Sequence, residues 1–215
     1  MGSYNPGAFG SFRGRVGHVV ATKWKGKDIV KNLPAKTTKK ASIAQLAQRK
    51  RFEFLNRFMG QFSDLIHIGY RTAAGNRFIP MNLACAYHLK HAVIGDYPDY
   101  QMDYSKLKLS FHKGIDPVVK PELALLNGEA VILNWQMPEF RSITTRADDL
   151  AYILVYNREK DHSVKHEGPR RSDLRAEISM PESFIGDTLH CWIFFVSLDG
   201  KLAAETQYVG TLNFS

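Results

Sequence analysis

Two periodicities divide this chain. Between residues 42 and 66, apolar side chains recur largely at spacings of three and four: Ile43, Leu46, Ala47, Phe54, Leu55, Phe58, Phe62, Leu65 and Ile66. That spacing gathers them on one side of a helix, with Arg49, Lys50, Arg51 and Arg57 mainly toward the other. Ser42 and Gln45 form a capping box at its start, the hydroxyl accepting from the third amide and the glutamine reaching back. Gly60 kinks the run or splits it in two. A second helix is expected from Met81 to about Ile94, opened by Pro80 and closed by Gly95.

From Tyr104 the period becomes two. Strands are expected at Lys106–Phe111, Glu129–Trp135, Leu150–Tyr156, Ser163–His166, Leu174–Met180, Thr188–Ser197 and Glu205–Phe214, with turn signals at Asn127-Gly128, Glu167-Gly168-Pro169 and Asp199-Gly200. Val131, Leu133 and Trp135 alternate inward, with Ile132 and Asn134 outward; Trp192, Phe194 and Val196 are expected to do likewise. Ile153 and Val155 join the inward set. Seven short strands at this spacing fit an immunoglobulin- or fibronectin-III-like sandwich.

The first 34 residues differ again. Glycines at 2, 7, 10, 14, 17 and 26 punctuate short extended pieces. Val16, His18, Val20 and Thr22 face one way if this is a strand, Trp24 to Asp28 reads as a turn, and Ile29 to Leu33 returns until Pro34 stops it. A hairpin over 15–33 follows, too small to stand alone in water. The fold class is therefore α+β: a glycine-rich basic β-hairpin plus helices over residues 1–103, then a β-sandwich over 104–215 that is expected to fold by itself.

Composition narrows the classes. The chain has 215 residues, 44% apolar and 23% charged, which excludes a disordered, collagen-like or coiled-coil chain. No apolar run approaches the length of a membrane span, and Met1 to Gly14 lacks the apolar stretch of a secretory signal, so a cytoplasmic location is expected. Cys85 and Cys191 are too few for a disulfide framework and suit a reducing compartment. The net charge of +8 is uneven: residues 1–60 hold 13 Lys and Arg against Asp28 and Glu53, whereas residues 126–215 hold 9 bases and 13 acids. Such asymmetry points to an anionic surface, a nucleic acid, or the acidic half of a neighbouring copy.

Candidate chemistry is sparse. Cys85, His88 and His91 lie at i, i+3 and i+6 on the second helix, a zinc-like trio without a fourth ligand; packing of Cys85 as a small hydrophobe is the better reading, and no metal or cofactor is expected. Asp161, His162 and His166 fall in a charged hairpin and read as solvated surface. Asp148 and Asp149 are adjacent and point apart on a strand. No HExxH, GxSxG or Walker loop occurs, so no enzyme and no small-molecule substrate is expected. The basic segment is the better candidate. Arg13, Arg15, Lys23, Lys25, Lys27, Lys39, Lys40, Arg49, Lys50 and Arg51 are interleaved with Phe12, Trp24 and Phe52, a mixture that suits phosphate contact with base stacking. Val16, Val20, Trp24, Ile29 and Leu33 give the hairpin apolar groups on both faces and mark it as an assembly contact.

Three further stretches carry a resemblance: Gly7 to Val20 with Trp24-Lys25-Gly26 and Asn32-Leu33-Pro34, then Ala44 to Arg49, then Leu89 to Pro98 followed by Asp103 to Lys106. They resemble an uncharacterised family of about 210-residue proteins from Bacteroidota. That family has no assigned activity, so the resemblance implies a bacterial or phage-derived protein and no catalytic residue. The expectation is a homo-oligomeric structural or assembly protein, cytoplasmic or part of a phage-like particle, whose basic N-terminal module joins subunits; the alternative is a sequence-nonspecific nucleic-acid-binding protein with the sandwich as accessory.

Overall fold

The computed structural model describes residues 2–4, 10–24, 26–35, 39–75, 78–111, 114–126 and 129–215; Gly7, Lys25 and the expected Asn127-Gly128 turn lie outside them. Its architecture is mixed α+β with a β-rich part, in two units, Met1–Ser42 and Ile43–Ser215.

In the first unit, β1 (Gly2–Ser3), β2 (Gly14–Val16), β3 (Val19–Trp24) and β4 (Lys27–Asn32) form an antiparallel sheet of order β1-β4-β3-β2. The expected single strand through Val16 and Val20 is two strands. Gly17, at φ 58°, turns the chain so that Val16 pairs with Val19. Trp24 pairs with Lys27 around the second turn, where Gly26 has φ 80°, as the sequence implied. Among the described residues of this unit only Ala21 and Ile29 are buried.

The second unit begins with α1 (Ile43–Gly60), α2 (Ser63–Gly69), α3 (Arg71–Ala74) and α4 (Pro80–His91). The long apolar run does split after Gly60. Leu55, Phe58, Phe62, Leu65 and Ile66 are buried, but Ile43 and Leu46, in the first turns of α1, are exposed. The second helix stops at His91, before the expected Ile94. Val93 and Ile94 instead form β5 (Val93–Ile94) and pair with β6 (Gln101–Met102), and Gly95 sits past them at φ 85°. An added Cβ at Gly95 would lie 2.6 Å from Asp99 O, so only glycine fits there.

Seven further strands follow: β7 (Val119–Leu126), β8 (Ala130–Gln136), β9 (Leu150–Asn157), β10 (His162–Arg170), β11 (Arg175–Ser179), β12 (Thr188–Val196) and β13 (Gln207–Asn213). They form two antiparallel sheets, β11-β8-β7 and β10-β9-β12-β13. Six match expected strands. The expected strand Lys106–Phe111 is a 3-10 turn and a loop, and β7 was not anticipated.

Two apolar cores flank the four-stranded sheet. One lies between the sheets and contains Val131, Leu133, Trp135, Ile153, Val155, Ile178, Cys191, Ile193 and Phe195. The other joins the helices to the opposite face through Leu55, Phe58, Phe62, Leu154, Tyr156, Trp192, Phe194 and Val196. Trp192, Phe194 and Val196 therefore do not meet Val131, Leu133 and Trp135 as expected. Strand β12 is buried on both faces, and its other set fills the space between the sheets. Ile132, expected outward, is buried as well. For the same reason the division of the chain falls at 42/43 rather than at 103/104: α1–α4 share a core with β9 and β12.

A buried ion pair braces the inter-sheet core. Arg171 Nε lies 3.2 Å from Asp149 Oδ2, both side chains are fully buried, and the guanidinium stacks 3.9 Å over the Phe195 ring. It also donates to Asp116 O and Pro117 O, while Trp135 Nε1 donates to Arg171 O. Burial pushes the Asp149 carboxyl up and the Arg171 guanidinium down, against the attraction of the pair.

Candidate interaction site

Residues directly opposite in an antiparallel pair share a face, and neighbours along a strand alternate. The register of the N-terminal sheet therefore sorts its side chains. Arg15, Val20 and Lys31 lie in one cross-strand row, Thr22 with Ile29 in the next, and Trp24 with Lys27 in the third. Leu33 continues that alternation, its N–H bonded to His18 O at 2.8 Å. One face thus carries Val20, Trp24, Ile29 and Leu33 together with Arg15, Lys27 and Lys31. Trp24 is 56% exposed and Leu33 38%. The other face carries Val16, Val19, Ala21 and Val30, with Lys23 opposite Asp28. Four of the five expected assembly residues are brought together; Val16 is on the opposite side, because the Gly17 turn reverses its strand.

The expected cationic residues scatter more. Arg13, Arg15, Lys27, Lys39 and Lys40 are exposed in the first unit, where Arg15 Nε also donates to Gly17 O. Lys23 is on the face away from Lys27, and Lys25 lies outside the described residues. Arg49, Lys50 and Arg51 belong to α1 in the second unit. Lys50 pairs with Glu53 at 3.5 Å. Arg51 donates to Leu89 O at 2.6 Å and Val93 O at 3.0 Å, so its guanidinium ties α1 to the end of α4. Lys31, in the same row as Arg15, completes the basic face.

The unit boundary also divides the charge. Residues 1–42 hold nine Lys and Arg and one acid, Asp28; residues 43–215 hold 20 bases and 20 acids. The first unit therefore carries the whole formal +8 of the chain.

His88 is fully buried, with Nδ1 donating to Ala84 O at 2.7 Å and Nε2 accepting from Lys108 N at 3.0 Å. Both ring nitrogens are occupied, so His88 has no lone pair for a metal. Burial, helped by the Lys108 charge, lowers its pKa to about 4. Burial also raises the Cys85 thiol, whose Sγ lies 3.7 Å from Asn56 Oδ1, and the Cys191 thiol, so neither is an activated thiolate. The Asp161 carboxylate accepts from Tyr156 Oη and Gln61 Nε2, both at 2.8 Å. Among the described residues no group of three His, Cys, Asp or Glu side chains could hold a metal ion.

The class is a chain of two units, a basic antiparallel sheet and an α+β unit without formal net charge. The chain belongs to a family of unknown function, DUF6266, whose model matches residues 11–210. No curated protein matches it. Among solved structures, the twitchin kinase region from C. elegans (Fn31-NL-kin-CRD-Ig26) aligns at 12% identity and a TM-score of 0.37. That alignment covers 47% of this chain and 17% of the twitchin chain.

Proposed function

We propose that this chain is a non-enzymatic structural protein of a homo-oligomeric assembly, bacterial or phage-derived, cytoplasmic or part of a phage-like particle, whose basic N-terminal unit makes the inter-subunit contacts. The observation that carries the reading is the mismatch within that unit. It orders four strands but buries only Ala21 and Ile29 among its described residues, while Trp24 and Leu33 stay exposed on one face. Two buried side chains, at roughly 1.5–3 kcal/mol each at most, do not offset the backbone entropy of ordering a sheet of this size. Cover from another surface would. The C-terminal strands fit an immunoglobulin- or fibronectin-III-like sandwich in this reading; the strand orders β11-β8-β7 and β10-β9-β12-β13 around one core support it. No helix of the described residues is long and apolar enough to cross a membrane.

The double variant Trp24→Ser, Leu33→Ser tests the assembly reading through native mass. The expected result is an oligomeric wild type and a smaller variant; a wild type that is monomeric at high concentration in both low and high salt overturns it.

A second reading is favoured by the charge division: a +8 unit with Trp24 among Arg15, Lys27 and Lys31 suits nucleic-acid backbone contact without sequence preference. Its signature is a log–log salt slope of about −0.7 to −0.9 per phosphate neutralised. No binding to single- or double-stranded DNA at low salt removes it.

A further inference from the structure

We propose that a pocket between α1 and the end of β9 binds a planar aromatic anion, a function separate from the assembly role of the first unit. The cavity is about 320 Å³, within the usual size range of small-molecule sites. Phe58, Met102 and Tyr156 form a buried floor, Phe54 and Tyr104 half-buried walls, and Arg57, Arg158 and Asp161 the rim.

The ring geometry decides the shape of the ligand. Phe58 and Tyr156 meet edge-on at 5.1 Å between centroids, Tyr104 and Tyr156 at 5.6 Å, and Phe58 and Tyr104 at 6.1 Å. The rings close on one another and leave no cage for a quaternary ammonium between them. What they offer is an apolar surface on which a flat ring can lie.

The rim decides its charge. Asp161 is already held by Tyr156 and Gln61, with Arg57 Nη2 at 3.4 Å, so its carboxylate is engaged by donors of the protein itself. Glu159 is also engaged, accepting from Thr188 N at 3.1 Å. Arg158 is exposed and has no ion pair or hydrogen bond among the described residues. It lines the mouth of the pocket, and its charge reaches Tyr104 and His190, opposed at Tyr104 by Asp161 and Glu159 and at His190 by Glu159. An aromatic floor under one uncommitted guanidinium suits a carboxylate or phosphate carried on an aromatic ring. Aryl acids and nucleotides both present that chemistry.

Titration of the full-length protein with 2-naphthoate, with 2-naphthamide as the neutral isostere, and followed by NMR tests this. The expected result is binding of naphthoate with shifts at Phe58, Tyr104 and Tyr156, about tenfold weaker binding of the amide, and loss of that difference in Arg158→Gln. Arg158 is exposed and has no hydrogen bond or ion pair among the described residues, so the variant tests the site and not the fold. No naphthoate binding, equal binding of the amide, or an unchanged preference in R158Q would overturn the proposal. Displacement of naphthoate by AMP supports a nucleotide as the source; retention against AMP supports an aryl acid. Neither outcome depends on the oligomeric state.

Discussion

The two units solve the same problem in different ways. Residues 43–215 surround a central sheet with apolar groups on both faces, so β12 hides Trp192 and Phe194 on one side and Ile193 and Phe195 on the other. Their charges cancel. Residues 1–42 contain a sheet of comparable strand number, yet bury two side chains among their described residues and hold all the net charge. One unit has the interior of a self-sufficient fold; the other has the surface of an incomplete one. Net charge and small core size together are what the proposed assembly role of the first unit rests on.

The largest expected effect comes from cutting between the layers. A fragment of residues 43–215 should melt cooperatively, whereas residues 104–215 should not, because that cut strips the helices from Leu154, Tyr156, Trp192 and Phe194. A cooperative melt of the shorter fragment, by calorimetry or circular dichroism, would show the helices to be dispensable.

Single core changes come next. Trp192→Ala should cost about 3–5 kcal/mol in denaturant unfolding. Arg171→Met should cost about 3–5 kcal/mol, since it leaves Asp149 buried without its partner, and adding Asp149→Leu should recover much of that loss. A double variant no better than the single would show that the bonds of Arg171 to Asp116 O and Pro117 O, not the charge pair, are what matters.

Acid should act more gently. The His88 pKa is lowered to about 4 in the fold and is about 6.5 when unfolded. The unfolded chain therefore binds the extra proton in that window, and stability falls as pH drops from about 6.5 toward 4. Between pH 6.5 and 5 the loss should be about 2 kcal/mol, in the same direction as the smaller contribution of His190. His88→Gln should flatten that slope; an unchanged slope assigns it to other groups. The smallest effect belongs to the first unit: Trp24→Ser should shift unfolding of the second unit by less than about 0.5 kcal/mol.

The sequence was legible where side-chain period and backbone pairing agree. Strand β9 and its inward residues Ile153 and Val155 were readable for that reason. Leu107 and Leu109 show the opposite case. Their period-two pattern is real and both are buried, but the backbone there bonds side chains instead of a ladder: Lys108 N donates to His88, and Leu109 N and Ser110 N donate to Thr206 Oγ1. Strand β7 escaped because Pro121 argues against a strand and Lys120 takes φ 45°, where the pairing with β8 shifts register. On the first sheet, the Gly17 turn changed which face Val16 occupies. The aromatic pocket draws on Phe54, Tyr104, Tyr156 and Arg158 from three distant segments, and nothing in their local spacing joins them.

The central claim is that the first unit is completed by another copy of the chain. The most direct measurement is native mass, by light scattering or sedimentation, of the full chain and of residues 43–215 side by side at high concentration, in low and in high salt. The account predicts an oligomeric full chain and a folded, monomeric 43–215. A monomeric full chain in both salts, or a truncated chain that keeps the full oligomeric state, would contradict it.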